Sequence, residues 1–153
     1  MEFREAKLEK SYKKSEISME NGKQEKVIRG FQDLEVYQRL YKAMLVVLKE
    51  IVPNLPDEEK YDLKDQLRRC CKSAPALVAE GFAKRYQLRS WKKYLEDTSG
   101  ECNEMIHHLS VCVDVYSKYV DPKLCKQLIE TYDIANRQIH RLRQSWKDFH
   151  AKY

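Results

Sequence analysis

Glu104-Met-Ile-His107 has the Glu-x-x-His spacing that places two metal ligands on one turn of a helix. In helical bundles a di-iron site needs a second copy of that motif and two further glutamates on facing helices. No second Glu-x-x-His occurs here. Cys102, His107 and His108 with Cys70 or Cys71 are the remaining candidates for zinc, but none shows the paired spacing of a zinc site. No metal and no cofactor is expected. A nucleophilic cysteine needs a base and a group to orient it, and no such arrangement is readable. Glu80 is a lone carboxylate without a histidine or second acid at helical spacing, which equips it poorly for acid–base work. It is expected to accept hydrogen bonds at a helix joint, or to pair with Arg69 or Arg85. No catalytic residue is assigned.

The other chemical signal is cationic. KRYQLRSWKK carries Lys84, Arg85, Arg89, Lys92 and Lys93, with Tyr86 and Trp91 interleaved and no acid between Glu80 and Glu96. Arg137, Arg141, Arg143 and Lys147 form a second row near the C-terminus. Clustered lysine and arginine suit phosphate contacts, and no base-reading motif accompanies them. Any nucleic-acid binding is therefore expected to be non-sequence-specific.

Helices must position these groups. The chain has 153 residues, 35% of them charged, with a net charge of +5 and only four glycines and four prolines. That profile predicts one mostly helical domain with charged outer faces. Residues 1–30 lack a sustained apolar period and are predicted to form a mobile charged tail, with the bundle domain over 31–153. From Phe31 the apolar residues recur in steps of three and four. The first stripe reads Leu34, Tyr37, Tyr41, Met44, Leu48 and Ile51. A second helix is expected from about Asp57 to Phe82, with Leu63, Leu67, Cys70, Ala74 and Leu77 inward. A third runs from about Ser90 to Val120 on Trp91, Leu95, Thr98, Cys102, Met105, Leu109, Cys112 and Tyr116. A fourth starts at Pro122 and uses Leu128, Tyr132, Ala135, Ile139, Leu142, Trp146 and Phe149. Four such rods with short connections predict an all-α, antiparallel up-down-up-down four-helix bundle.

Within the second helix, Pro75 should bend the rod, Ala74, Ala76 and Ala79 should admit a neighbour, and Gly81 should let the chain turn. Five cysteines without framework spacing, no apolar run of membrane length and no secretory leader lead to a cytoplasmic expectation, with no membrane contact.

LRRCCKSAPALVAEGFAKR resembles the signature of the four helix bundle protein family, also called the 23S rRNA intervening-sequence protein family. The matching positions are Gln66, Arg68 or Arg69, Ser73, Pro75, Ala79, Glu80, Gly81 and Arg85. FQDLEVY resembles the family's opening block, with Tyr37 in place of tryptophan, and Tyr94, Leu95, Gly100 and Glu104 resemble its third-helix landmarks. The similarity covers residue 31 to about 146. It departs at Leu77, where asparagine is usual, and at Cys70–Cys71, which replaces an alanine-containing pair. The resemblance marks Ser73, Pro75, Glu80 and Gly81 as a structural joint. It implies a non-catalytic scaffold assembling as a homo-oligomer, typically a pentamer. In the branch of diversity-generating retroelement accessory variability proteins, it implies nucleic acid and a reverse transcriptase as partners. The alternative is a protein–protein interaction module without a nucleic-acid role.

Overall fold

The computed structural model describes residues 28–152, with side chains through Trp146. The tail predicted over residues 1–30 therefore lies almost wholly outside the described residues, as do the side chains of Lys147 and Phe149. Four helices follow a short turn at Phe31–Asp33: α1 (Glu35–Val46), α2 (Leu63–Ala83), α3 (Leu88–Val115) and α4 (Pro122–Lys152). Among the described residues there is no strand. The helices pack in sequence order, α1 on α2, α2 on α3 and α3 on α4, and α4 closes back on α1. Partners across α2 and α3 run in opposite directions: Lys84 meets Tyr94, Arg69 meets Glu104, and Glu59 just before α2 meets Tyr116. The chain is an antiparallel all-α four-helix bundle.

The interior follows the 3.6-residue period. On α3, Trp91, Leu95, Thr98, Cys102, Met105, Leu109 and Cys112 are all buried, and on α4 so are Cys125, Leu128, Tyr132, Ala135, Ile139 and Trp146. The inward face of α1 differs in part from the expected one. Leu34 and Ile51 are buried as expected, but between them Val36, Leu40, Ala43 and Val47 enter the core, whereas Tyr37, Met44 and Leu48 are half-buried and Tyr41 is 43% exposed. Helix α1 carries two neighbouring apolar stripes. The compact aliphatic one fits between α2 and α4, leaving Phe31, Tyr37 and Tyr41 to pack on one another outside (centroids 4.8 and 5.9 Å apart).

The end of α1 widens into a π-helical turn at Val47–Ile51 and then tightens into a 3-10 turn at Val52–Asn54 before Pro56 extends the chain. The acids Asp57–Glu59 form only a short turn, and α2 begins later than expected, at Leu63. There the Glu59 carboxylate accepts the Leu63 amide at 3.2 Å and the phenol of Tyr116. It thus caps α2 and ties it to the end of α3.

Helix α2 runs without interruption through the buried Pro75. Gly81 does not end it. The helix continues to Ala83, and the turn closes afterwards through Lys84 N–H to Gly81 C=O and Gln87 N–H to Lys84 C=O, both 2.9 Å. Gly81 has a different use. A β-carbon there would lie 2.7 Å from Tyr94 Cβ and 3.0 Å from the six-membered edge of Trp91, so α2 and α3 meet through its missing side chain. Gly100 on α3 has no atom within 4 Å of such a position. Gly81→Ala is accordingly expected to lower unfolding free energy by about 1–3 kcal/mol through overpacking. Gly100→Ala should raise it by about 0.5–1 kcal/mol through helix propensity. Urea denaturation of the two variants checks the opposite signs.

Candidate functional site

The cationic cluster occupies the α2–α3 turn and the first turns of α3. Lys84 donates to the Tyr94 hydroxyl at 2.9 Å and lies over that ring, and this bond pushes its ammonium pKa up. The Arg85 guanidinium lies 4.0 Å from the Phe82 ring centroid and 4.3 Å from that of Tyr86, and donates to the Phe82 carbonyl and the Tyr86 hydroxyl. Arg89 is exposed, and among the described residues it has no acidic partner. One turn farther along, the helix period brings acids back. Lys92 stands 4.0 Å from Glu96 and Lys93 3.1 Å from Asp97. The stretch free of acids in sequence is therefore bordered by acids in space.

The α4 row is more fully compensated. Arg137 pairs with Asp133 at 3.2 Å, and Arg143 reaches across to Glu96 at 3.2 Å. Arg141 is exposed, and the Lys147 side chain lies outside the described residues. The fold thus brings Arg143 beside Lys92, both facing one carboxylate, and leaves Arg137 apart from the turn cluster. The i,i+4 pairs were legible in the sequence; the Arg143–Glu96 pair depends on helix packing and was not.

At the proposed joint, Ser73 is half-buried, Pro75 and Gly81 are buried, and Glu80 is exposed. Arg69 faces α3, 3.4 Å from Glu104 and 4.0 Å from Glu101. Cys70, fully buried, donates its thiol hydrogen to Glu104 at 3.1 Å. Sequence reasoning missed Glu101, although Glu101 and Glu104 share a face of α3. One donor atom each from Cys70, Glu101 and Glu104 lie within 4.8 Å of one another, the one grouping of at least three potential metal-ligating atoms among the described residues. The Arg69 guanidinium already supplies positive charge beside these acids, and the Cys70 hydrogen bond with Arg69 near at hand holds Glu104 below the usual carboxylate range. His107 and His108 are not members of the group, and their rings contact each other at 5.2 Å.

Four of the five thiols are held protonated by the same packing, and Cys125 is shifted down by its hydrogen bond with Cys112. Burial pushes Cys71 up to about 11 and Cys102 up to about 12. Burial and the Glu104 hydrogen bond push Cys70 up, and the hydrogen bond with Cys125, then burial, push Cys112 up. A protonated, buried thiol is neither a nucleophile nor a ready ligand.

Among the described residues no helix is long and apolar enough to cross a membrane. Comparison with curated proteins and with solved structures gives no match. The family model for the 23S rRNA-intervening sequence protein matches residues 32–141, which span all of α1, α2 and α3 and much of α4. With the joint of α2 and the acidic face of α3 both inside that match, the chain belongs to the 23S rRNA-intervening sequence protein family.

Proposed function

We propose that the chain is a non-catalytic, cytoplasmic scaffold that holds an RNA or DNA backbone at its α2–α3 end. The observation that carries this reading is the cluster at that turn. Lys84, Arg89, Lys92 and Lys93 are exposed, and Arg85 is stacked beside them on aromatic rings. Phosphate contacts from such a cluster are electrostatic and independent of sequence. Arg141 and Lys147 extend the surface, while Arg137 and Arg143 contribute less because each faces a carboxylate. Assembly as a homo-oligomer, with five copies as in the family resemblance, would sum these weak contacts into usable affinity. The half-exposed Phe31–Tyr37–Tyr41 stripe supports a subunit contact on α1. A reverse transcriptase is the protein partner this reading proposes.

Binding of a generic duplex RNA should weaken steeply with salt. Arg89→Glu with Lys93→Glu should reduce affinity by at least about tenfold near 0.1 M salt while the helical signal stays intact. Salt-insensitive binding, or an unchanged affinity in the double variant, would refute the reading.

A second reading, a protein–protein module, draws on the opposite end of the bundle. Tyr61 is 87%, Val115 63% and Tyr119 53% exposed there, an unusual gathering of large apolar side chains in water.

A further inference from the structure

Between the first turn of α3 and the last described turns of α4 lies a cleft of about 220 Å³, lined by Leu88, Trp91, Lys92, His140, Arg143 and Trp146 together with Gln144. Two features of it point to an anion. Its side chains bring an ammonium, a guanidinium and an imidazole from two helices around one cavity. It sits at the N-terminus of a 28-residue helix whose preceding residue, Gln87, makes no side-chain cap, so first-turn amides and the helix dipole favour negative charge nearby.

We propose that this cleft binds a phosphate monoester, and, resting on the nucleic-acid reading above for its natural source, the terminal phosphate of a strand. A monoester carries close to two negative charges at neutral pH and three acceptor oxygens. Those match Lys92, Arg143 and His140 better than the single charge of a backbone diester does. Glu96, shared by Lys92 and Arg143, lines the adjacent cleft and holds both cations in part, so it acts as a competitor for the ligand.

The test compares one RNA sequence with a 5′-phosphate and with a 5′-hydroxyl, labelled at the 3′ end, binding to the full chain at fixed salt. The phosphorylated strand should bind at least about fivefold tighter, as charge-assisted hydrogen bonds require. Arg143→Gln should erase that preference, and Glu96→Gln should enlarge it. Equal binding of the two RNAs, or a preference that survives Arg143→Gln, overturns the proposal. Inorganic phosphate and a nucleoside 5′-monophosphate form the second arm. If they bind in an Arg143-dependent way while neither RNA does, the cleft assignment stands, the ligand is a free phosphate monoester and the nucleic-acid reading falls. If none of the four binds, the cleft assignment is wrong.

Discussion

Between pH 9 and pH 11 the bundle is expected to lose most of its stability without any change in salt or temperature. Cys70, Cys71 and Cys102 are each fully buried and each held protonated well above the ordinary thiol range, whereas Cys112 and Cys125, hydrogen-bonded to each other, are shifted in opposite directions and largely offset. In the unfolded chain the same thiols ionise near pH 9. Above that pH the unfolded state binds fewer protons than the native state, so the sign is fixed: stability falls as pH rises, until each folded pKa is passed. One proton of difference is worth about 1.4 kcal/mol per pH unit. Three thiols acting together amount to roughly 4 kcal/mol per unit, against a total stability of about 5–15 kcal/mol for a domain. Tyr116, pushed up to about 12 by its hydrogen bond to Glu59, and the buried Tyr132 steepen the fall above pH 10. Urea midpoints measured at pH 8, 9, 10 and 11 should drop progressively. Cys102→Ala should remove about one proton from the slope even though it lowers stability at pH 8. A flat profile up to pH 11 would show that the thiols are not sealed from water.

That behaviour was only partly legible in the sequence. Cys102 and Cys112 fall on the periodic stripe of α3, so their burial follows from spacing alone, and so does the placement of Trp91, Leu95, Tyr132 and Trp146. The face of α1 did not follow. Two apolar stripes with the same spacing lie side by side there, and periodicity cannot rank them. Packing does, because Leu40 and Val47 fill the space between α2 and α4 that a tyrosine would overfill. The start of α2 was misplaced for a similar reason. Asp57, Glu58 and Glu59 look like a helix N-terminus, but the cap acts at a distance: Glu59 reaches forward to Leu63 and across to Tyr116. The site was least legible of all. A row of lysines and arginines states its charge in sequence, whereas its acidic neighbours arrive from one helical turn away or from another helix.

Trp91→Ala should be the most damaging single substitution at neutral pH, lowering unfolding free energy by about 3–5 kcal/mol. Trp91 is wholly buried where three helices meet. Its ring packs edge-to-face with Phe82 of α2 at 6.5 Å and with Trp146 of α4 at 5.4 Å, and its six-membered edge occupies the space that a β-carbon at Gly81 would need. Truncation leaves a hole bounded by rigid helix backbones, which collapse poorly, so the cavity term adds to the lost transfer energy. For a domain of this size the melting temperature should fall by roughly 6–20 °C. The packing account makes a sharper demand through a double-mutant cycle with Gly81→Ala. The added methyl of Gly81→Ala strikes both Trp91 and Tyr94 Cβ, and removing the indole relieves only the first of these. The two changes should therefore combine less than additively, with a coupling of about 0.5–2 kcal/mol, and Gly81→Ala should remain destabilising in the Trp91→Ala background. Strict additivity would mean that the indole and Gly81 do not share the crossing point of α2 and α3. A complete rescue would mean that Tyr94 can yield, placing the rigidity of the crossing in the tryptophan alone.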